Sequence, residues 1–251
     1  MRKDKLRIKE KILILGETGT QKTLTCCEIA RSFSKAGGRV LYVDTEYGCE
    51  RYFSEMPEED LANIDLVVPK TFSGLKYVIK YLAIGSREIE IEKVMDKGWI
   101  EFSTVERTED IEPYDLVIFD PFDPVKEARL EAKEKFLQQG YYYMGDKKIV
   151  IDNKETFSLR GWMYQVPNEW IEEIYRFMVR SPYHFIHVVM LPNDHIDKYF
   201  GWYDAIFEFR KTLNDFDAKI IKLRGKATSQ IVKTEKLREL LVEKFVSLVR
   251  K

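Results

Sequence analysis

The segment that most constrains this chain lies near its start, where an apolar run meets a glycine-containing turn and then a helix-forming stretch. Residues 11–15 read KILIL, a compact apolar run typical of a buried strand. Residues 22–34 follow with apolar positions on one face, and the glycines after them end that helix. With strands and helices alternating through the first half, we expect an α/β fold whose helices cover a mostly parallel sheet.

Further apolar runs supply the remaining elements of a single domain that spans residues 1–251. The predicted strands are 39–44, 64–68, 116–119, 185–191, 205–210 and 219–223, the last two being late antiparallel strands. A helix is predicted at about 73–83, a half-exposed hairpin within 87–105, and an amphipathic helix at about 234–249. Residues 121–182 are an insertion that this framework does not require.

Composition limits the classes of partner and compartment. The 251 residues carry a net charge of -1, so any contact with nucleic acid must be a local patch. No stretch approaches the roughly 20 apolar residues of a membrane helix. The three cysteines (Cys26, Cys27 and Cys49) are odd in number and lack metal-ligand spacing, which argues against a disulfide framework or a zinc site. We expect a cytoplasmic protein without a membrane partner, and its abundant Lys and Glu are typical of thermophiles.

Residues 16–23, GETGTQKT, match the Walker A pattern G-x-x-x-x-G-K-[ST] except at Gln21, where the second glycine is expected. Successive backbone N–H groups of such a loop bind phosphate, helped by the partial positive charge of the helix N-terminus. Lys22 is expected to neutralise the β and γ phosphates, and the Thr23 hydroxyl to bind Mg²⁺. The predicted ligands are therefore ATP and magnesium, and the predicted binding set is Gly16, Glu17, Thr18, Gly19, Thr20, Gln21, Lys22, Thr23 and Leu24.

The loop has a plainer interpretation, and it departs from the motif at one position. A turn of glycine and threonine that happens to precede Lys-Thr is the alternative interpretation. Because a side chain at Gln21 can crowd the phosphates or alter the loop, we expect binding to survive while hydrolysis is slow.

The acidic partners of the loop are expected at the ends of neighbouring strands. Residues 114–120, YDLVIFD, form a Walker B pattern in which Asp120 would hold magnesium through water. Pro121 stands where many P-loop ATPases carry a catalytic glutamate, so the base must come from elsewhere. Glu46 follows the second strand, and adjacent parallel strands deliver their carboxyl ends to one crevice. Glu46 is therefore predicted to orient and deprotonate the attacking water, with Glu50 as a weaker substitute and a solvated loop acid as the alternative.

These motifs resemble those of the RecA/RadA/KaiC-type ATPases. Residues 18–24 are similar to the KaiC-type loop T/S-G-T-G-K-T-L apart from Gln21, and 40–48 (VLYVDTEYG) resemble the RadA stretch that carries the catalytic glutamate. Lys222-Leu223-Arg224-Gly225 is similar to the K-L/M-R-G signature of KaiC-like proteins. The resemblance implies that Lys222 and Arg224 reach the γ-phosphate of a neighbouring subunit; two ordinary surface cations are the alternative. Both would lie on one face of a late strand.

The resemblance covers about 11–120 and 183–228 and implies a RecA-like P-loop core in a homo-oligomeric ring or filament. It also implies a polar sensor near the γ-phosphate, for which Asn193 is the candidate and His195 a weaker one. Asn193 serves instead as a turn residue if the strand simply ends before it. Because the core begins at once, without the N-terminal domain of full RadA, the chain looks like a core-only paralogue of the archaeal or archaeal-virus type.

The inserted segment 121–182 is dense in aromatic side chains interleaved with cations. Such a surface can stack bases and contact phosphates, so DNA is a candidate partner there. A satellite core or a subunit interface explains the same aromatics equally well. Within the segment we predict a charged helix at about 124–139 and a hairpin around 145–146.

Taken together, the motifs predict a magnesium-dependent ATPase that acts at subunit interfaces, with DNA recombination or repair as its setting. The alternative is a nucleotide-binding switch or accessory module with little or no hydrolysis, which Gln21 favours. A nucleotide or small-molecule kinase is a weaker option, because its usual arginine-rich lid is not visible in the sequence.

Overall fold

A mixed eight-stranded sheet organises the part of the chain that the computed structural model describes, residues 9–46, 48–68, 114–121, 183–193 and 196–249, with the backbone of 141–144 and 147–150. The helices are α1 (Lys22–Lys35), α2 (Glu50–Phe53), α3 (Glu58–Leu61) and α4 (Thr234–Val249), with a 3-10 segment at Ile196–Trp202. The strands are β1 (Lys11–Gly16), β2 (Val40–Asp44), β3 (Ile64–Val67), β4 (Leu116–Asp120), β5 (Tyr141–Met144), β6 (Lys147–Val150), β7 (His184–Met190), β8 (Ala205–Lys211), β9 (Phe216–Leu223) and β10 (Lys226–Lys233).

The order of the strands in the sheet is β10-β9-β8-β1-β7-β4-β2-β3. All neighbours from β8 to β3 are parallel, whereas β9 pairs antiparallel with both β8 and β10. The expected α/β fold, with a mostly parallel sheet and late antiparallel strands, is therefore confirmed. The strands β5 and β6 pair antiparallel apart from this sheet, as the predicted hairpin requires.

Both faces of β1 are covered, which explains why its sequence is continuously apolar rather than alternating. Ile12 and Ile14 face a core that contains α1 and α4, while Leu13 and Leu15 face a second cluster with the 3-10 segment. The two helices meet through Phe33 and Phe245, whose ring centroids lie 6.3 Å apart in an edge-to-face arrangement. The apolar face predicted for the last helix is thus the face that attaches it to α1 and the sheet.

Not every element follows from the sequence pattern. The edge strand β10 was not predicted, because its side chains are mostly exposed and polar and it is recognised only by its backbone pairing with β9. The short helices α2 and α3 were missed as well. The helices expected at 73–83 and 124–139 and the hairpin within 87–105 lie outside the described residues.

We expect the Phe245→Ala substitution to lower the free energy of unfolding by about 3–4 kcal/mol, because Phe245 is fully buried between α1 and the sheet. Leu240→Ala, on the same helix but 51% exposed, is the matched control and should change it by less than about 1 kcal/mol. Urea unfolding of both variants measures the difference. Equal effects would contradict the assignment of α4 to the core.

Candidate functional site

The carboxyl ends of the parallel strands meet at one edge of the sheet and surround a cavity of about 210 Å³. The register brings Asp44 beside Asp120 and Gly16 beside Met190. The cavity is lined by loop residues 18–24 together with Glu46, Gly48, Tyr52, Asp120, Pro121 and Met190. In open α/β sheets this edge is the usual place for a ligand.

The loop between β1 and α1 depends on residues that tolerate unusual backbone positions. A Cβ atom on Gly16 would lie 2.6 Å from the carbonyl oxygen of Phe209, so only glycine fits beside β8. Gly19 has φ of 75°, and Gln21, which caps α1, has φ of 66° and ψ of 19°. Position 21, where the motif expects its second glycine, thus has the left-handed backbone conformation. A residue with a side chain adopts it at a cost of roughly 1–2 kcal/mol.

The side chain of Gln21 is held from a distant part of the chain. Arg238, on α4, donates a hydrogen bond from Nη2 to the Gln21 carbonyl oxygen Oε1 at 2.5 Å. Sequence reasoning missed Arg238, since it lies 217 residues away and belongs to no motif.

Lys22 lies inside the loop, where the motif predicts it. Its ammonium donates to the carbonyl oxygens of Gly16 at 2.9 Å and Glu17 at 2.6 Å. Burial lowers the pKa of Lys22, and the negative charges of Asp120 and Glu46 oppose that shift. These contacts keep a partly desolvated cation at the centre of the loop, where phosphate oxygens would compete for it.

Asp120 ends β4 as a buried carboxylate with one oxygen engaged and one open. The Tyr42 hydroxyl donates to Oδ2 at 2.6 Å, whereas Oδ1 accepts no hydrogen bond from the described residues. Burial raises the pKa of Asp120 to about 6, and interactions with the hydroxyls of Tyr42 and Thr23 pull it downward. Thr23 thus lies close to this carboxylate without completing a hydrogen bond of ordinary geometry to Oδ1. Tyr42, like Arg238, supports the site and was not predicted from the sequence.

These two groups fit a hard cation. An unpaired carboxylate oxygen beside a hydroxyl is the kind of donor set that Mg²⁺ takes, usually with phosphate oxygens and water completing its six ligands. Within the described ranges no cluster of three His, Cys, Asp or Glu side chains could hold a metal by itself. Thr23 and Asp120 could therefore hold such a cation only together with further ligands.

Glu46 is placed at the cavity by a turn that Asp44 organises. Asp44 accepts hydrogen bonds from the backbone N–H of Glu46 at 2.9 Å and of Cys49 at 2.8 Å. The Thr45 hydroxyl donates to the carbonyl oxygen of Pro121, which joins the ends of β2 and β4. The exposed Glu46 side chain lines the cavity, as its predicted role requires. Glu50 starts α2 and does not line the cavity.

Lys222 and Arg224 lie toward the amino-terminal ends of the parallel strands, away from the cavity. Leu223 pairs with Ala205, which pairs with Ile12 at the amino-terminal side of β1. Four residues of strand, roughly 13 Å, separate that level from the end of β1. The two cations are therefore remote from the cavity of their own chain.

The expectation that both cations share one strand face was wrong. The strand ends at Leu223, and Arg224 and Gly225 form the two-residue turn of the β9–β10 hairpin with φ of 50° and 77°. Positive φ at both central residues is typical of a type I′ turn. Arg224 is exposed at this tip, while the Lys222 ammonium donates to the carbonyl oxygens of Phe200 and Gly201.

Asn193 follows β7 and is not among the described residues that line the cavity. Its side-chain oxygen accepts a hydrogen bond from the backbone N–H of Ile196 at 3.1 Å, at the start of the 3-10 segment. This contact is the turn chemistry given above as the alternative to a sensor. The structure does not describe His195. Within residues 121–182 it describes only Pro121 and the backbone of β5 and β6.

No protein-family model matches this chain, and no curated protein matches its sequence. In the described part of the chain, no helix combines the length and apolar character needed to cross a membrane. The assignment of function must therefore come from the geometry of the site.

The buried charge of Asp120 has a consequence for stability. The pKa of Asp120 is about 6 in the folded protein and about 3.9 in an unfolded chain. Between these pH values the folded state is therefore more protonated at Asp120 than the unfolded state. The contribution of Asp120 to stability is therefore present below about pH 4 and is lost as pH rises through 6.

Asn cannot ionise, so Asp120→Asn should gain stability over wild type as pH rises. We expect the difference in free energy of unfolding, variant minus wild type, to be larger at pH 7 than at pH 4 by roughly 1–3 kcal/mol. Urea unfolding in EDTA without nucleotide measures it. Asp60→Asn is the control. Contacts with Lys35 and Arg31 lower the pKa of Asp60, so their stabilisation is lost only as pH falls below about 4, and this variant should lower the free energy of unfolding nearly equally at pH 4 and pH 7. An Asp120→Asn gap independent of pH would contradict the prediction.

Proposed function

We propose that this protein is a RecA-like P-loop ATPase that binds ATP with magnesium at the loop between β1 and α1. The observation that carries the proposal is the juxtaposition of the buried Lys22 ammonium with the unpaired Oδ1 of Asp120 at one cavity. A cation inside a glycine-containing loop suits the phosphates, and a free carboxylate oxygen beside Thr23 suits the metal that accompanies them.

In this proposal each group has a distinct task. The backbone N–H groups of the loop and the start of α1 bind the phosphates, and Lys22 neutralises the β and γ groups. Thr23 and Asp120 hold magnesium, which supplies further neutralisation of phosphate charge when bound. Glu46 orients a water molecule and accepts its proton as the water oxygen bonds to the γ-phosphorus, while the bond from that phosphorus to the β–γ bridging oxygen breaks and ADP leaves. Tyr42 fixes Asp120, and Asp44 fixes the turn that carries Glu46.

The arrangement of cations favours catalysis between copies of the chain. Lys22 is the one cation among the described residues that line the cavity. Arg224 lies at the opposite edge of the sheet, so it can serve only the site of a neighbour. A contact between two different surfaces of identical chains is heterologous, and repeating it produces a ring or a filament. Arg224 suits the role of finger, whereas Lys222 is already bound to two carbonyl oxygens.

A second candidate function is a nucleotide-dependent switch with little hydrolysis. It is favoured by the composition of the cavity wall, because Lys22 is the one cation that the described residues of a single copy place there. It is also favoured by Gln21, whose side chain occupies the phosphate loop.

Calorimetric binding of a non-hydrolysable ATP analogue and steady-state phosphate release together test the proposal. Lys22→Ala should weaken binding at least about tenfold, because it removes charge-assisted bonds to phosphate. Glu46→Gln should retain binding and lower turnover by about 100-fold or more. Arg224→Ala should also retain binding and lower turnover by about 1,000-fold. Lys226→Ala removes a nearby exposed cation of the same hairpin and should change neither quantity.

Turnover that survives Lys22→Ala would refute the assignment of the phosphate loop. ATP binding without measurable release in any oligomeric state would leave the switch as the function. Running the assay with and without single-stranded DNA tests whether DNA is a partner.

Mixing equal amounts of Glu46→Gln protein and Arg224→Ala protein should restore part of the activity. One quarter of randomly formed interfaces then combine an intact Glu46 with an intact Arg224, so we expect about a quarter of wild-type turnover. Molecular mass in solution with and without ATP serves as the control for assembly. A strict monomer in both conditions, or no recovery on mixing, would exclude action between subunits.

A further inference from the structure

The side chain at position 21 creates a problem that the phosphate loop must solve. Gln21 has the left-handed backbone that glycine adopts most readily, and its carbonyl oxygen accepts the first hydrogen bond of α1 from Thr25 at 3.0 Å. The loop and the start of the helix therefore both depend on this conformation. Gln21 also lines the cavity, so its carboxamide can enter the space that phosphate would take.

Arg238 is positioned to restrain the Gln21 side chain. It stands on α4 between the buried residues Leu237 and Leu241, and its Nη2 donates to Gln21 Oε1 at 2.5 Å. Its Nε is buried and has no hydrogen-bond partner within the part of the chain described by the structure. Because the guanidinium is partly withdrawn from water, the bond that it makes through Nη2 is worth more than the same bond of a freely hydrated group. The guanidinium is thus anchored by the packing of its helix and directed at the loop.

We propose that Arg238 is a positioning residue for nucleotide binding, which draws the Gln21 carboxamide out of the phosphate path and maintains the left-handed loop in place of the missing glycine. This inference rests on the proposed ATP site. Arg238 acts through Gln21, since it does not itself line the cavity. The need for Arg238 therefore exists only while position 21 carries a side chain.

A double-mutant cycle tests this dependence with wild type, Arg238→Met, Gln21→Gly and the double variant. The readout is the Kd of a non-hydrolysable ATP analogue with magnesium. Arg238→Met should weaken binding about tenfold in the wild-type background, the scale of one lost hydrogen bond to a charged group. In the Gln21→Gly background the same change should alter Kd by less than about twofold. Arg238→Lys keeps a cationic donor and should recover part of the loss.

Lys236→Met is the matched control, because it removes an exposed cation from the same turn of α4 and should leave Kd unchanged. Urea unfolding without nucleotide checks that each variant is folded. Equal weakening by Arg238→Met in both backgrounds would overturn the proposal and indicate a direct or purely structural role. No weakening in either background would overturn it too. If wild type itself fails to bind the analogue, the ATP site is wrong and the positioning role fails with it.

Discussion

Six strands from β8 to β3 run parallel, and their hydrogen bonds align the carboxyl ends on a single edge of the sheet. This alignment brings the end of β1, with the loop that leads into α1, to the same level as Asp44 and Asp120. A shift of one residue in any of these pairings would turn the strand's side chains to the other face. The apolar side chains of β1, buried on both faces, resist such a shift. The packing of the apolar core thus fixes where Asp44, Asp120 and the loop after β1 lie.

The site combines features that work against stability. Lys22, Asp44 and Asp120 are all buried, and buried charges are unfavourable unless they are paired or bound to a ligand. Asp44 is satisfied by two backbone N–H groups, and Lys22 by two backbone carbonyl oxygens. Asp120 is satisfied at one oxygen only. The unpaired oxygen belongs to a residue that lines the cavity, and functional sites commonly carry groups that lower the stability of the fold.

Much of the fold could be predicted because its signals are local. Buried parallel strands appear as apolar runs, and α4 follows from its 3.6-residue periodicity. The meeting of Glu46 and Asp120 at one crevice also followed from sequence, since it needs only the rule that parallel strands end at one edge. Contacts between distant side chains carry no such signal, which is why Tyr42 and Arg238 were missed. Arg224 was misplaced for a subtler reason: a tight hairpin and a continuing strand differ in two backbone angles, and Arg at positive φ is unusual.

The contact between Gln21 and Arg238 also has a consequence for the order in which the protein matures. The ribosome makes Gln21 long before it makes Arg238, and a domain of this kind gains its long-range contacts only after both partners have emerged. A nascent chain already contains all of residues 16–23 when α4 is still missing. The Gln21 side chain would then lack its contact with Arg238, so under the proposed role of Arg238 the loop would become competent for nucleotide only after α4 is made. The loop near the start of the chain thus gains one of its contacts only when the end of the chain has been made.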